Sequence, residues 1–237
     1  LSHQLEALGH QLLPPQPIFL RVQPQTTRWK QAKPFRVPQI ELSVGGKLAG
    51  QGDFRLTPRG IEGTALDALL LQDPSIYEKL KTGVHLTVDW IPQLKANKIR
   101  LHLQQRSETG SALSAGLAHP DVEISPSLWR IICKACHLKP DQKWKQLVGK
   151  DINRVVQQFK QMDLEVAGWG LPLKERAWSG GIQPESWNWQ RGVSLHHPKL
   201  YFAGEILDLK GLPRGEHFQL TLASVEIVAG TIAEQYR

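Results

Sequence analysis

Near its C-terminus the chain carries Tyr201-Phe202-Ala203-Gly204-Glu205-Ile206-Leu207-Asp208, an apolar run that meets a glycine and two acids. The Gly-punctuated stretch Gly211 to Gly215 and a long apolar segment follow it. This succession constrains the fold more than any other feature. Lys199-Leu200-Tyr201-Phe202-Ala203 is short, aromatic and bounded by Pro198 and Gly204, the pattern of a strand covered on both faces. Phe218, Leu220, Leu222, Ala223, Val225, Ile227, Val228 and Ile232 are dense enough to bury most of a helix. Such a strand delivers a ligand to the free N–H groups of the helix, where negative or electron-rich atoms are stabilised.

Upstream the pattern moves between β and α. Leu5 and Leu8 before Gly9 read as the end of a helix, so the chain is expected to start mid-architecture, with upstream sequence or a separate chain supplying the rest. Residues 11–23 begin as a bend through Pro14, Pro15 and Pro17 and continue as an alternating strand. Ile40, Leu42 and Val44 alternate up to Gly45-Gly46, and Leu48, Phe54 and Leu56 follow, which predicts a hairpin over residues 39–57. Gly60-Ile61-Glu62-Gly63 reads as a turn and Thr64 as the cap of a helix through Leu70. Ser75 to Leu80 reads as a second short helix, Val84 to Trp90 as a strand, and residues 107–120 as a loop.

The next stretch is helical. Ser125-Pro126 opens a helix bearing Leu128, Trp129, Ile131, Ile132 and Cys136, and Asp151 caps another bearing Ile152, Val155, Val156, Phe159 and Met162. With residues 141–148 they make a three-helix subdomain. Leu164 to Gly168 and Glu175 to Trp178 resume as strands, and Ser179-Gly180-Gly181 reads as a tight turn.

A chain of 237 residues with 41% apolar composition can bury a sizeable core. No run reaches the roughly eighteen apolar residues of a membrane span, and the first residues lack the pattern of a secretory signal, so the expected compartment is the cytosol. The formal charge of +7 suits a phosphate-rich partner, but the cations are dispersed without a run of five, so nucleic-acid binding is the lesser reading beside a solvated basic surface. Cys133-Lys134-Ala135-Cys136-His137 fits the spacing of a covalent haem attachment, with Met162 as a second axial ligand; two reduced helix cysteines are the larger reading. His196-His197 is read as a loop, Trp178, Trp187 and Trp189 as core or interface anchors, and Asp53 and Asp89 as turn or strand-edge acids.

One set of residues carries a resemblance. Ala7-Leu8-Gly9-His10 with Pro14-Pro15 and Pro17, Gly52-Asp53-Phe54 with Thr57, Gly60, Ile61 and Gly63, Ser179-Gly180-Gly181, and Leu200 to Asp208 with Gly211, Gly215 and Gln219 occur in fixed order. Over nearly its full length the chain resembles the aminoacetone-oxidase-like and bile-acid-dehydroxylation-reductase-like FAD-binding flavoproteins. It corresponds to the part after their first Gly-rich dinucleotide segment.

The resemblance implies a mixed α/β fold in which pieces of a Rossmann-like flavin domain flank a barrel-like insertion with a three-helix subdomain. The returning piece is expected over residues 1–13, the β-rich barrel over 14–120, the helical subdomain with its return strand over 121–172, and the closing flavin segment over 173–237. It implies FAD as cofactor, with Gly204 allowing close backbone approach, Glu205 accepting hydrogen bonds from cofactor hydroxyls, and Asp208 in the same element. Arg214, Gly215, Glu216, His217, Phe218 and Gln219 are placed by it beside the flavin ring. The partners implied are an N-terminal dinucleotide-binding segment or chain, a small-molecule substrate and NAD(P)H as candidate electron donor, with no membrane. Hydride transfer through the flavin is the expected activity. A scaffold with a degenerate site is the alternative, because Pro213-Arg214-Gly215-Glu216-His217 stands where the family carries Thr-Gly-Gly-Tyr-Asn, and no G-x-G-x-x-G follows a strand.

Overall fold

The computed structural model describes all residues except 1, 18, 74, 109–110, 114–121, 140, 171–177, 210–213 and 236–237. The elements begin with α1 (Ser2–Ala7), β1 (Leu12–Pro17), β2 (Arg21–Pro24), α2 (Thr27–Lys30), β3 (Phe35–Val44), β4 (Lys47–Thr57) and β5 (Gly60–Glu62). They continue with α3 (Thr64–Gln72), α4 (Ile76–Thr82), β6 (Val84–Asp89), α5 (Ala96–Ser107), α6 (Pro126–Ala135), α7 (Gly149–Lys160) and β7 (Met162–Gly170). The last are β8 (Trp178–Ile182), β9 (Trp187–Asn188), β10 (Val193–Ser194) and α8 (Arg214–Gln235). The chain divides into two compact units, Leu20–Gly170 and a second made of Leu1–Phe19 with Leu171–Arg237.

The first unit is a closed antiparallel barrel in the order β2-β5-β4-β3-β6-β7, with helices packed on it. Closure follows from alternation. Val22, Leu42, Leu56, Ile61, Leu86, Val88 and Leu164 are buried, and the register pairs them with one another, as in Leu42↔Val88, Leu86↔Leu164, Leu56↔Ile61 and Val22↔Ile61. Gly45-Gly46 turns the β3–β4 hairpin at φ 59° and 78°, as the two-glycine signal predicts. Gly60–Glu62, expected as a turn, is instead strand β5, bonded to both β2 and β4; the turn falls just before it. Trp29, Phe54 and Trp90 fill one end of the core, with ring centroids 4.9 Å apart for Phe54 and Trp90 and 5.8 Å for Trp29 and Trp90.

The three-helix subdomain is present with a different third member. Residues 141–148 supply only the 3-10 turn Trp144–Gln146, and the third helix is α5, which packs on α7. Its sequence hides it because Ile99 and Leu103 are its only buried residues and Leu101 is exposed. Trp129 of α6 stacks between Trp144 at 5.4 Å and Phe159 of α7 at 6.3 Å, which joins the 3-10 turn and both helices into one body. The Ser125 side chain caps α6 by accepting the Leu128 N–H at 3.1 Å. The residue preceding α7 is Val148, not Asp151; Asp151 sits one turn in and accepts the Val148 N–H.

The second unit holds two small sheets. β1 pairs antiparallel with β8, with an irregular register between Leu13 and Gln16 where Pro14-Pro15 supply no N–H. The proline stretch read as a bend is therefore strand, and Ser179-Gly180-Gly181, read as a turn, lies in β8. Glu175 to Ala177 fall outside the described residues. β9 pairs with β10. The expected strand Lys199 to Ala203 reduces to one bridge, Val193↔Tyr201, because Ser194 N–H bonds Leu200 O and Phe202 N–H bonds Gly192 O in a closed loop. A parallel bridge Ile182↔Leu207 and a 3-10 turn Gly204–Ile206 then lead toward α8, the Rossmann-like piece of the fold. Leu5, Ile182, Phe202 and Leu207 form the core, packed by Leu12, Trp187, Leu200, Ile206 and Leu209.

Helix α8 forms where its sequence predicts, but its burial does not follow. Phe218 is 65% exposed, Leu222 54% and Val225 49%, while Ser224 is buried. No helix among the described residues is long and apolar enough to cross a membrane.

Candidate functional site

A cleft of about 450 Å³ opens in the second unit. Its walls come from Leu5 and Glu6 of α1, Leu12 to Pro15 of β1, Gly180 and Gly181 of β8, and Glu205-Ile206. Three pieces separated along the chain by up to 190 residues, the Pro14-Pro15 pair, the Gly180-Gly181 pair and the Glu205 element, thus share one concavity.

Gly181 shows why glycine is required in that wall. At φ 109° a side chain is already strained, and a Cβ would press into the carbonyl of Ile206; at Gly180 it would lie 2.5 Å from the Pro14 oxygen. The two glycines let β1, β8 and the 206–207 backbone lie against one another. Asp208 locks the layer from behind. It is buried, its Oδ1 accepts the Gly180 N–H at 3.2 Å, and its own N–H bonds the Ile182 carbonyl at 3.0 Å.

Gly204 differs from these glycines. Among the described residues nothing stands within 4 Å of the Cβ it lacks, at φ 82°. Its N–H donates to Ser224 Oγ at 2.8 Å, and that hydroxyl donates to Thr221 O at 2.6 Å, which fixes Gly204 to α8. Glu205 is exposed at the cleft. Arg214 to His217 form the first turn of α8, with side chains outside the described residues, and Phe218 and Gln219 are exposed on the next turn.

A polar cluster lies elsewhere in the same unit, and only part of it was visible in the sequence. His10 is buried, 5.0 Å from the His196 ring and 4.9 Å from Phe202, with His197 at 6.2 Å. Ser194 Oγ accepts the His196 and His197 N–H groups at 3.0 and 2.9 Å, so its own hydrogen faces His10 Nε2 at 3.3 Å. Burial, then the charges of His196 and His197, hold His10 below the usual imidazole range, against a hydrogen bond from its ring to the Ser186 backbone. His196-His197 is thus an anchored loop whose partner stands 186 positions upstream, a separation no local signal bridges.

In the barrel unit, the Gly52-Asp53 motif is architectural. Asp53, expected at a turn or strand edge, is buried, and its Oδ1 accepts both the Thr64 N–H and the Thr64 hydroxyl at 2.8 Å. Thr64 therefore starts α3 through Asp53 and does not cap it. Burial raises the Asp53 carboxyl, but Thr64, Arg55 and Arg36 outweigh it and hold the group below the usual carboxylate range. Asp89 pairs with Lys160 of α7 and accepts the Ile91 N–H. Cys133 and Cys136 are free and buried, and burial pushes their thiols up to about 12 and about 11, which leaves both as thiols at neutral pH. Trp187 packs on the core of the second unit, Trp189 is exposed, and the side chain of Trp178 lies outside the described residues. Among the described residues no group of three or more His, Cys, Asp or Glu is placed to hold a metal ion.

Residues 20–175 match the family described as HI0933-like protein barrel and H2TH domain. The chain belongs to the HI0933-like family. The HI0933-like match covers the whole barrel unit and carries the flavoprotein relationship at the level of the family, not of the two named enzyme groups. No curated protein matches the sequence. The cleft lies in the other unit, outside the HI0933-like barrel.

Proposed function

We propose that this chain is part of an FAD-dependent oxidoreductase of the aminoacetone-oxidase-like or bile-acid-dehydroxylation-reductase-like kind, and that the cleft at Glu205 receives part of the flavin cofactor. The observation that carries this reading is the convergence of Pro14-Pro15, Gly180-Gly181 and Glu205, each a piece of the flavoprotein resemblance, on one cleft.

The lining tests the fit. Among the described residues it offers Glu6, Glu205 and Ser2 beside apolar side chains, and no Lys or Arg. Carboxylates accept hydrogen bonds from hydroxyl donors and repel phosphates, so the cleft suits the hydroxylated chain of the cofactor and not its diphosphate. Glu205 would hold those hydroxyls, Gly204 would leave room for the cofactor beside its backbone, and Asp208 would keep the wall in place through Gly180. The N–H groups in the first turn of α8, Arg214 to His217, would favour negative charge beside them. The diphosphate falls to a separate dinucleotide-binding segment, for which the exposed apolar residues of α8 offer a surface. A bound flavin supplies hydride chemistry toward a small molecule, with NAD(P)H as donor; the chain binds, orients and shields.

Titration of FAD into the natural protein carrying its dinucleotide-binding segment tests the reading. Replacing a charged acceptor costs about 1.5–3 kcal/mol, so Glu205→Ala weakens FAD binding by about ten- to a hundredfold. Unchanged affinity in Glu205→Ala takes Glu205 out of the site, and a folded protein that binds no flavin supports the scaffold alternative.

A further inference from the structure

The basic charge of the chain is confined to one unit. Residues 20–170 hold twenty-two Lys and Arg against fourteen Asp and Glu, while the other unit holds seven against eight. Within Arg130 to Arg154 the ratio is seven cations to two acids. Along the sequence these cations are dispersed, with no five adjacent. The fold packs the segments that carry them against one another.

Arg130 and Lys134 lie four residues apart on α6 and point to solvent, as do Lys139, Lys143, Lys145 and Lys150 around the 3-10 turn and the start of α7. None of the six is in an ion pair among the described residues. The stack of Trp144, Trp129 and Phe159 holds the segments that carry them together. Helix α6 packs against α7. Asp151 is engaged locally with Arg154 and with the Val148 N–H, which leaves Asp141 as the other acid of the segment.

We infer that the exposed cations of the helical subdomain bind the phosphodiester backbone of a nucleic acid. Unpaired, exposed cations on a rigid frame are what phosphate binding needs, because affinity comes from counterion release and requires no apolar anchor. A specific protein partner needs a buried cluster of aromatic or large apolar residues at the centre of its interface. Here Trp129 and Trp144 are buried and Val148 is the exposed large apolar side chain of the segment. Among the described residues of Arg130 to Arg154 no Phe, Tyr or Trp is exposed for stacking bases, so binding is indifferent to base sequence.

Fluorescence anisotropy with a labelled 20-base-pair DNA duplex and a labelled RNA hairpin, measured across a KCl series, tests this. The triple variant K134Q/K145Q/K150Q is expected to lose at least tenfold in affinity at low salt. Its slope of log affinity against log salt should flatten by about two to three, since each lost phosphate contact removes roughly 0.9 from the slope. A matched triple on the barrel side of the same unit, K47Q/K79Q/K81Q, should stay within about twofold of wild type; equal losses in the two triples would reduce the effect to net charge and overturn the proposal. Tighter binding of the RNA or of the DNA names the source, and either supports it. Binding to neither at low salt overturns it, as does a poly-glutamate peptide that binds as tightly and responds to the same substitutions, which assigns the face to an acidic protein.

Discussion

The barrel unit and the unit that holds the cleft are built from similar residues with opposite results. In the barrel every strand has two neighbours, and its apolar side chains face one another across a closed wall. Among the described residues the other unit has two two-stranded sheets, a core cluster of four buried apolar residues, and a 22-residue helix on which Phe218, Leu220, Leu222, Val225 and Ile232 are exposed while Ile227 and Val228 are partly covered. One unit satisfies its own sequence. The other carries more apolar surface than it covers, and it is also where the cleft, the open glycine and the exposed acid lie. A region that leaves surface uncovered keeps the capacity to bind something.

The largest expected effect that could break this comparison is in the packing. Phe54 is buried among Trp29, Phe35 and Trp90, so Phe54→Ala should cost about 3–5 kcal/mol in urea unfolding. Phe218, mostly exposed, should change stability by no more than about 0.5 kcal/mol when replaced by Ala. If the two cost the same, α8 is packed and the contrast fails.

A smaller, sharper contrast lies in pH. Asp53 is depressed below its unfolded value, so its stabilisation is present above about pH 4 and is lost as acid protonates it. His10 is also depressed, but from the imidazole range, so the neutral buried ring favours the fold above about pH 6.5 and that support falls away below it. Measured against intrinsic exchange rates, amide protection should therefore fall between pH 7 and 5 in the cleft unit but not in the barrel, where Asp53 stays ionised and the raised His85 beside Asp163 adds stability as the pH drops, and His10→Gln should flatten the first. Asp53→Asn should cost about 1–3 kcal/mol in the barrel at pH 7 and blunt its loss of stability below pH 4. Identical acid limbs in both units would remove His10 from this role.

Local chemistry made much of the barrel unit legible. Gly45-Gly46 announces its hairpin, Ser125-Pro126 starts α6 where expected, and the stripe Ile152, Val155, Val156 and Phe159 marks α7. Helix α5 escaped because two buried residues make too thin a stripe, and β1 escaped because Pro14-Pro15 signal a bend while an irregular register accommodates them in a pair. The candidate site was legible only through resemblance. No periodicity joins Pro14 to Gly180 and Glu205, and none joins His10 to His196, since each contact is made by chain segments far apart in sequence. The exposure of α8 is not legible in its sequence, because apolar density predicts that a helix seeks cover and says nothing of whether the chain provides it.

Amide hydrogen exchange on the natural protein, with and without FAD, tests the central claim most directly. The account predicts slowed exchange at residues 12–13, 180–182 and 204–206 and in the first turns of α8, with the strands of the barrel unchanged. Protection confined to the barrel, or none at the cleft while flavin is bound, would contradict it.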